Sequence, residues 1–120
     1  MSTQDKCCTI VPYFNVPAGQ QEAFRELCEQ FVARTGKETK CLYCGFSFNG
    51  EMAHCREGYA DAGGVLAHLE NVGELLDRAF KIAALTRLEI HGPEEELTKL
   101  RGPLAKLEPQ FYTLEYGFRR

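Results

Sequence analysis

Apolar residues change their spacing several times along the chain, and each change predicts an element. Cys8-Thr9-Ile10-Val11-Pro12-Tyr13-Phe14 reads as a first strand. Pro12 lacks an N–H for the ladder, which predicts a bulge or an unpaired position there. After Pro17-Ala18-Gly19 the pattern turns helical: Phe24, Leu27, Cys28, Phe31 and Val32 follow i, i+3, i+4, i+7, i+8 spacing, and Gly36 is placed to stop the helix. Strand two runs from about Cys41 to Phe48 and strand three from Glu51 to Tyr59. Asp61 can cap the next helix, whose stripe is Val65, Leu66, Leu69 and Val72. Asn71-Val72-Gly73 predicts a break or bend, followed by a helical segment with Leu75, Leu76, Ala79, Phe80 and Ala83 inward. Thr86 to His91 makes a fourth strand.

The remainder starts with Gly92-Pro93-Glu94-Glu95-Glu96, a helix start with proline at its first position and acids at the positive end of the dipole. Leu97, Leu100, Leu104 and Leu107 give this helix an apolar side, interrupted by Gly102-Pro103. The tail, Phe111-Tyr112-Thr113-Leu114-Glu115-Tyr116-Gly117-Phe118, is strand-prone and has no obvious hairpin partner. The order is βαββαβ with an appended helix and strand, an α+β, ferredoxin-like split βαβ arrangement with an antiparallel sheet. All 120 residues fit one domain, with a core at about 8–91 and a C-terminal extension at 92–120. Two helices cover one sheet face. Bulky apolar groups on both faces of several strands predict that the other face is covered by a second copy. A C₂ homodimer closed as an α+β barrel is expected, with the extension reaching the mate.

Asn49-Gly50 lies between strands two and three and is a strong hairpin signal, with both turn residues expected at positive φ. A two-residue Asn49-Gly50 loop pairs Phe48 with Glu51, Phe46 with Ala53, Cys44 with Cys55 and Leu42 with Glu57. Tyr59 continues that face, while Tyr43, Gly45, Ser47, Met52, His54 and Arg56 take the opposite one.

Composition narrows the function classes. A net charge of −3 without a basic stripe argues against nucleic-acid binding, and no apolar run is long enough to span a membrane. The start, Met1-Ser2-Thr3-Gln4-Asp5-Lys6, lacks the apolar core of a signal peptide, so the expected address is the cytoplasm. Cysteines 7, 8, 28, 41, 44 and 55 are then expected as reduced thiols, although Cys44 and Cys55 fall within disulfide reach. Cys41-Leu42-Tyr43-Cys44 has the look of a zinc knuckle, but its second ligand pair would be the adjacent His54 and Cys55, which point to opposite faces of a strand. No metal site is expected.

Cys55-Arg56-Glu57-Gly58-Tyr59-Ala60-Asp61-Ala62, with Ala67-His68-Leu69, resembles the antibiotic biosynthesis monooxygenase family and its dimeric α+β barrel relatives. Their third strand commonly ends in Glu-x-Trp and precedes a helix bearing Ala-His. Glu57 stands at the glutamate, Tyr59 at the aromatic and His68 at the histidine. The resemblance covers roughly residues 8–91 and is weak outside the central third. It implies a ligand cavity between sheet and helices, often used for oxygen-dependent chemistry on aromatic substrates without metal or flavin. Some relatives bind and degrade haem, and others have no known activity. This chain departs from the pattern by having no tryptophan and by its C-terminal extension. The implied pocket side holds Glu57 and Tyr59 together with Cys44 and Cys55.

The residue reading adds roles. Glu57 sits on an otherwise apolar face and must find a partner or take up a proton, with Arg87 or His68 as candidates. His68 is either a helix histidine satisfied by a carboxylate or a proton acceptor oriented by Glu57. His91 ends strand four near Glu89, either as a local hydrogen-bonding group or as part of the ligand site. Two function classes follow. One is a cofactor-independent, monooxygenase-like enzyme acting on a small apolar or aromatic molecule, with Glu57, His68 and Tyr59 catalytic and Cys44, Phe46, Cys55 and His91 around the ligand. The other is a non-enzymatic ligand-binding or assembly protein in which Glu57 and His68 are structural.

Overall fold

The computed structural model describes residues 5–120; residues 1–4, the opening of the segment read above for a targeting signal, lie outside the described residues. The elements are β1 (Cys8–Asn15), α1 (Gln21–Thr35) behind a single 3₁₀ turn, β2 (Cys41–Asn49), β3 (Met52–Tyr59), α2 (Ala62–Phe80), β4 (Ala84–Gly92), α3 (Glu94–Arg101) and β5 (Gln110–Thr113). They form one sheet in the order β2-β3-β1-β4-β5, the ferredoxin-like order with one strand added at the β4 edge.

Alternation puts Ile10, Phe14, Ala53, Cys55, Glu57, Leu88 and Ile90 in the interior, where α1 and α2 cover them. Phe14, Phe24, Leu27, Phe31, Val72 and Leu75 pack as one cluster, while Ile10, Tyr59, Val65, Ile90, Leu97 and Leu100 form a second that α3 closes. Each fully buried leucine or phenylalanine contributes about 1.5–3 kcal/mol relative to exposure. The helical stripes are narrower than their spacing predicts: Val32, Leu66 and Phe80 are 47%, 37% and 39% exposed.

Several expectations are corrected. The sheet is mixed, because β5 runs parallel to β4 with Ile90 opposite Phe111 and His91 opposite Tyr112. A parallel neighbour requires a crossover, and α3 supplies it, so the start of the strand-prone tail, through Thr113, pairs within its own chain. The break expected at Asn71-Val72-Gly73 is absent, and α2 is continuous over 19 residues because Val72 and Leu75 on either side of Gly73 are both buried. Gly36 caps α1 at φ −61°, in right-handed geometry, and Pro93 occupies the N-cap of α3 rather than its first helical position.

The hairpin pairs Asn49 with Met52, Phe48 with Ala53, Phe46 with Cys55 and Cys44 with Glu57. The turn is therefore centred on Gly50-Glu51, and only Gly50 has positive φ (60°), which is the requirement of a turn with glycine first. This moves every partner by two residues, and a two-residue shift leaves the faces unchanged. The one casualty is Leu42, which an irregularity between Cys41 and Tyr43 turns outward to 43% exposure. At Pro12, the β1–β3 ladder skips from Ile10–Glu57 to Tyr13–His54, as a missing donor requires, while the β1–β4 register shifts at Tyr13/Phe14.

The helix-free face is less apolar than expected. Tyr13 stacks on His54 with centroids 5.3 Å apart, His91 stacks on Tyr112 at 4.9 Å, and Arg87 pairs with Glu89.

Candidate functional site

A strand, a helix and a loop bring three charged groups together under the helices. Glu57 projects inward from β3, opposite Ile10 of β1 and Cys44 of β2. Asp61 caps α2 by accepting from the Gly64 N–H at 2.9 Å, and this sets the phase of the helix that carries His68. Gly64 also lets α2 approach the strand closely: a Cβ there would stand 2.9 Å from Lys40 Cβ and 3.2 Å from Tyr59 Cβ. His68 thereby reaches Glu57 with Nε2 at 2.9 Å from Oε1. Its other nitrogen, Nδ1, lies 2.9 Å from Oε2 of Glu38, in the loop between α1 and β2. Asn71, nearly one turn after His68, donates to the same Glu38 oxygen at 2.7 Å.

Tyr59 completes the group by donating its hydroxyl to Glu57 Oε1 at 2.5 Å, with its ring 5.0 Å from the imidazole. The tyrosine is fully buried, so it holds the carboxylate from behind and does not form the cavity wall. Both ring nitrogens of His68 face carboxylate oxygens, which only accept, so the ring donates from both and is an imidazolium. Burial pulls the His68 pKa down, but the bonds and charges of Glu57 and Glu38 outweigh it and leave the value above the usual 6.5. For Glu57, burial pushes upward, and the His68, Tyr59 and Cys55 bonds reverse that, holding the carboxyl below its usual 4.5. Tyr59 is driven far up by burial and by the neighbouring Glu57 charge, so it stays protonated.

Glu57, His68 and Thr35 form the polar part of an otherwise apolar cavity with two lobes. One lobe, a cavity of about 50 Å³, lies toward Ile10, Leu69, Leu76, Leu88 and Leu104. The other, about 30 Å³, lies toward Phe24, Phe31, Thr35, Cys44, Phe46 and Cys55. Pro12, Phe14 and Leu76 line both lobes, so the space is a narrow, bent slot.

Of the residues singled out in the sequence, Glu57, His68, Cys44, Phe46 and Cys55 meet in this slot, and Tyr59 stands behind it. His91 does not join them. It lies on the helix-free face, stacked on Tyr112 and bonded to Glu89, and Arg87 also pairs with Glu89 rather than with Glu57. Cys44 and Cys55 are diagonal neighbours rather than a directly opposed pair, with free sulfurs 3.8 Å apart. His54, the other candidate in the zinc reading, is on the far side of the sheet against Tyr13. Among the described residues, no group of three or more His, Cys, Asp or Glu is arranged to hold a metal ion. No described helix is long and apolar enough to cross a membrane. Sequence reasoning missed Glu38 and Asn71; Glu38 lies in a polar loop where no periodicity assigns a face, and Asn71 had been read as part of a helix break.

No protein-family model and no curated protein matches the chain. Solved structures do. MupZ from Pseudomonas fluorescens superposes with a TM-score of 0.95 at 51% identity, over 100% of this chain and 94% of that one. A candidate antibiotic biosynthesis monooxygenase from Nitrosomonas europaea matches with a TM-score of 0.69 at 17% identity, over 77% of this chain and 94% of that one. A second, from Caulobacter crescentus, reaches 0.65 at 14% identity, over 72% and 88%. The latter two show the fold alone, whereas the match to MupZ runs the whole chain at an identity that marks common descent. The chain belongs to the same family as MupZ, and it shares its fold with the antibiotic biosynthesis monooxygenase-like proteins.

Proposed function

We propose that this protein binds a small apolar or aromatic molecule in the slot between sheet and helices and performs acid–base chemistry on it without a resident cofactor. One observation carries the reading: an ion pair, Glu57 with His68, faces a space walled by aliphatic and aromatic side chains. Desolvated charge is costly to bury, and here it is held by Tyr59 and Glu38 with partners on each side. Glu57, kept ionised, is the group that would take a proton from the ligand, and the His68 imidazolium offsets charge that develops nearby. Tyr59 positions Glu57, and Cys44, Phe46 and Cys55 shape one end of the slot. Oxygen-dependent, monooxygenase-like turnover is the reaction class that the fold shared with the antibiotic biosynthesis monooxygenases supports, with the acidic ligand carbon or oxygen as the site that Glu57 deprotonates.

A second reading is favoured by one specific feature. Both nitrogens of His68 are already occupied, so the chain Glu38–His68–Glu57 is complete without a ligand. On that basis the protein binds or assembles without catalysis, and the ion pair is a structural element.

The protein is also proposed to act as a C₂ homodimer through its helix-free sheet face. Tyr43, Tyr112, Leu114, Tyr116 and Phe118 are exposed there or in the tail, between 38% and 79% of their surface. Native mass spectrometry of freshly purified protein tests both proposals. A dimer carrying a co-purified small molecule is the expected result; an empty monomer overturns the shared barrel and the ligand slot. Turnover of that molecule by wild type, lost in Glu57→Gln with binding retained, separates the enzyme from the binding protein.

A further inference from the structure

Two polar atoms beside the slot have no hydrogen-bond partner. Thr35 Oγ1, at the last residue of α1, is buried and unpaired, and its residue is only 1% exposed. Oε1 of Glu38 is likewise buried and unpaired, although Oε2 of the same carboxylate serves both His68 and Asn71. Buried polar atoms without partners are rare in folded proteins and ask for an occupant. Helical threonines commonly satisfy themselves on a carbonyl one turn back, as Thr98 does on Glu94 at 2.9 Å; Thr35 does not.

The two residues are tied together. The Glu38 N–H donates to the Thr35 carbonyl at 3.0 Å, so they flank a single turn at the end of α1. Thr35 lines the same lobe as Cys44, Phe46, Glu57 and His68, and both residues line the shallow groove that continues outward past Cys41. This end of the slot is otherwise phenylalanine and cysteine, and neither offers a strong partner for either oxygen.

We propose that Thr35 and Glu38 form a recognition subsite for a ligand hydroxyl, so that the molecule in the slot is an alcohol or phenol rather than a pure hydrocarbon. The chemistry follows from the two oxygens. A carboxylate oxygen only accepts, so its partner must donate; a threonine hydroxyl can donate, so its partner must accept. One ligand hydroxyl does both at once, donating to Glu38 Oε1 and accepting from Thr35 Oγ1. A carbonyl, ether or halide cannot satisfy Glu38, and an amine satisfies Thr35 poorly. Because Glu38 also holds His68, the bound hydroxyl sits at the far end of the same charged chain that Glu57 closes. The inference rests on the reading of the slot as a ligand site and names the polar feature its ligand carries.

The test uses two probes of nearly equal shape, 1-octanol and 1-fluorooctane, titrated by NMR into wild type and into Thr35→Val. In wild type, the carbinol protons of octanol should show contacts to the Thr35 methyl. Thr35→Val, which keeps the shape and removes the hydroxyl, should weaken octanol roughly tenfold, the size of one hydrogen bond, and leave fluorooctane unchanged. Equal effects on both probes, or octanol bound without contact to Thr35, overturn the subsite while leaving the slot intact. Binding of neither probe removes the slot itself, and the subsite with it. A crystal structure of the octanol complex completes the comparison. A water still bridging Thr35 Oγ1 and Glu38 Oε1 with octanol present would mean that solvent, not ligand, is the occupant, and overturns the proposal.

Discussion

The imidazole of His68 meets Glu57 at 2.9 Å through Nε2, and the two residues are 8% exposed in their side chains. Glu57 owes its position to strand alternation and His68 to the cap at Asp61, so their meeting depends on the register of β3 against the phase of α2. With Glu38 on the opposite nitrogen at 2.9 Å, the ring is clamped between two carboxylates and cannot rotate without breaking a bond. A buried ion pair of this kind is a poor source of net stability but a strong constraint on geometry once formed.

The pH dependence of stability follows from these two shifts. His68 has its folded pKa above the ordinary 6.5, so its contribution is fully present below that value and is lost as pH rises through the folded one. Glu57 has its folded pKa below the ordinary 4.5, so its contribution is present above that value and is lost as pH falls through the folded one. Both act together between those two ordinary values, and the stability of the wild type relative to a His68→Ala variant should be greatest there. Denaturant titrations across pH, with the His68 ring followed by NMR, provide the check. A ring that titrates below 6.5 contradicts the imidazolium assignment.

Removing the ring leaves two carboxylates facing an empty space. His68→Ala is therefore expected to cost about 3–5 kcal/mol near neutral pH, the range for stranding a buried charge. Glu57→Gln should cost less, because the amide can still accept from Tyr59, and it should lower the pKa of His68 by removing its nearest anion. Chemical denaturation with unchanged slope measures the first effect, and ring titration the second. A His68→Ala loss below about 1 kcal/mol would match a solvent-screened surface pair and remove the basis for the buried assignment.

Much of this arrangement was legible in the sequence, and what was not has definite causes. The apolar face carrying Glu57 came from alternation, which survives an error of two residues in register, so the wrong Asn49-Gly50 loop still left Phe46, Cys55 and Glu57 on the right side. Asp61 and the spacing to His68 located the second partner, because capping fixes helical phase locally. Glu38 escaped because it stands in a loop, where side-chain direction depends on tertiary contacts with α2. Gly73 misled because a half-buried glycine within a helix is tolerated when the flanking residues are buried. The pairing of β5 with β4 depends on how α3 docks, and no local pattern encodes that.

Gly63 and Gly64 open α2 side by side but should respond differently to alanine. A Cβ on Gly64 meets Lys40 Cβ at 2.9 Å and Tyr59 Cβ at 3.2 Å, atoms close to the backbone that cannot swing away. Gly64→Ala is expected to cost about 1–3 kcal/mol as overpacking and to lengthen the His68–Glu57 contact. On Gly63 the added carbon meets the capping carboxylate of Asp61 at 3.2 Å and the Lys40 ammonium at 3.5 Å, with no backbone or Cβ atom in the way. Gly63→Ala should cost less than Gly64→Ala, because helix propensity offsets up to about 1 kcal/mol of the crowding. Thermal melts of the two variants decide the matter, and equal destabilisation would show that α2 does not depend on close approach at Gly64.

Thiol reactivity offers a readout of the slot that needs no ligand. Burial raises Cys8 and Cys28 to about 12 and Cys41 to about 11, and Cys7 is raised as well. Cys55 goes up further through its bond to Cys44, its burial and the Glu57 charge. Cys44 alone is lowered, by the hydrogen bond from Cys55, and it is half-buried at the Thr35 end of the slot. Reactivity follows the thiolate fraction and access, so brief treatment with iodoacetamide at pH 8 should modify Cys44 before the other five. Peptide mass spectrometry after partial labelling gives the order directly. The added amide group then occupies the lobe beside Phe46 and Cys55, so the modified protein should bind apolar probes more weakly while its thermal stability changes little. Earlier labelling of Cys41 or Cys7, or full probe binding after Cys44 is modified, would show that Cys44 does not face the ligand space.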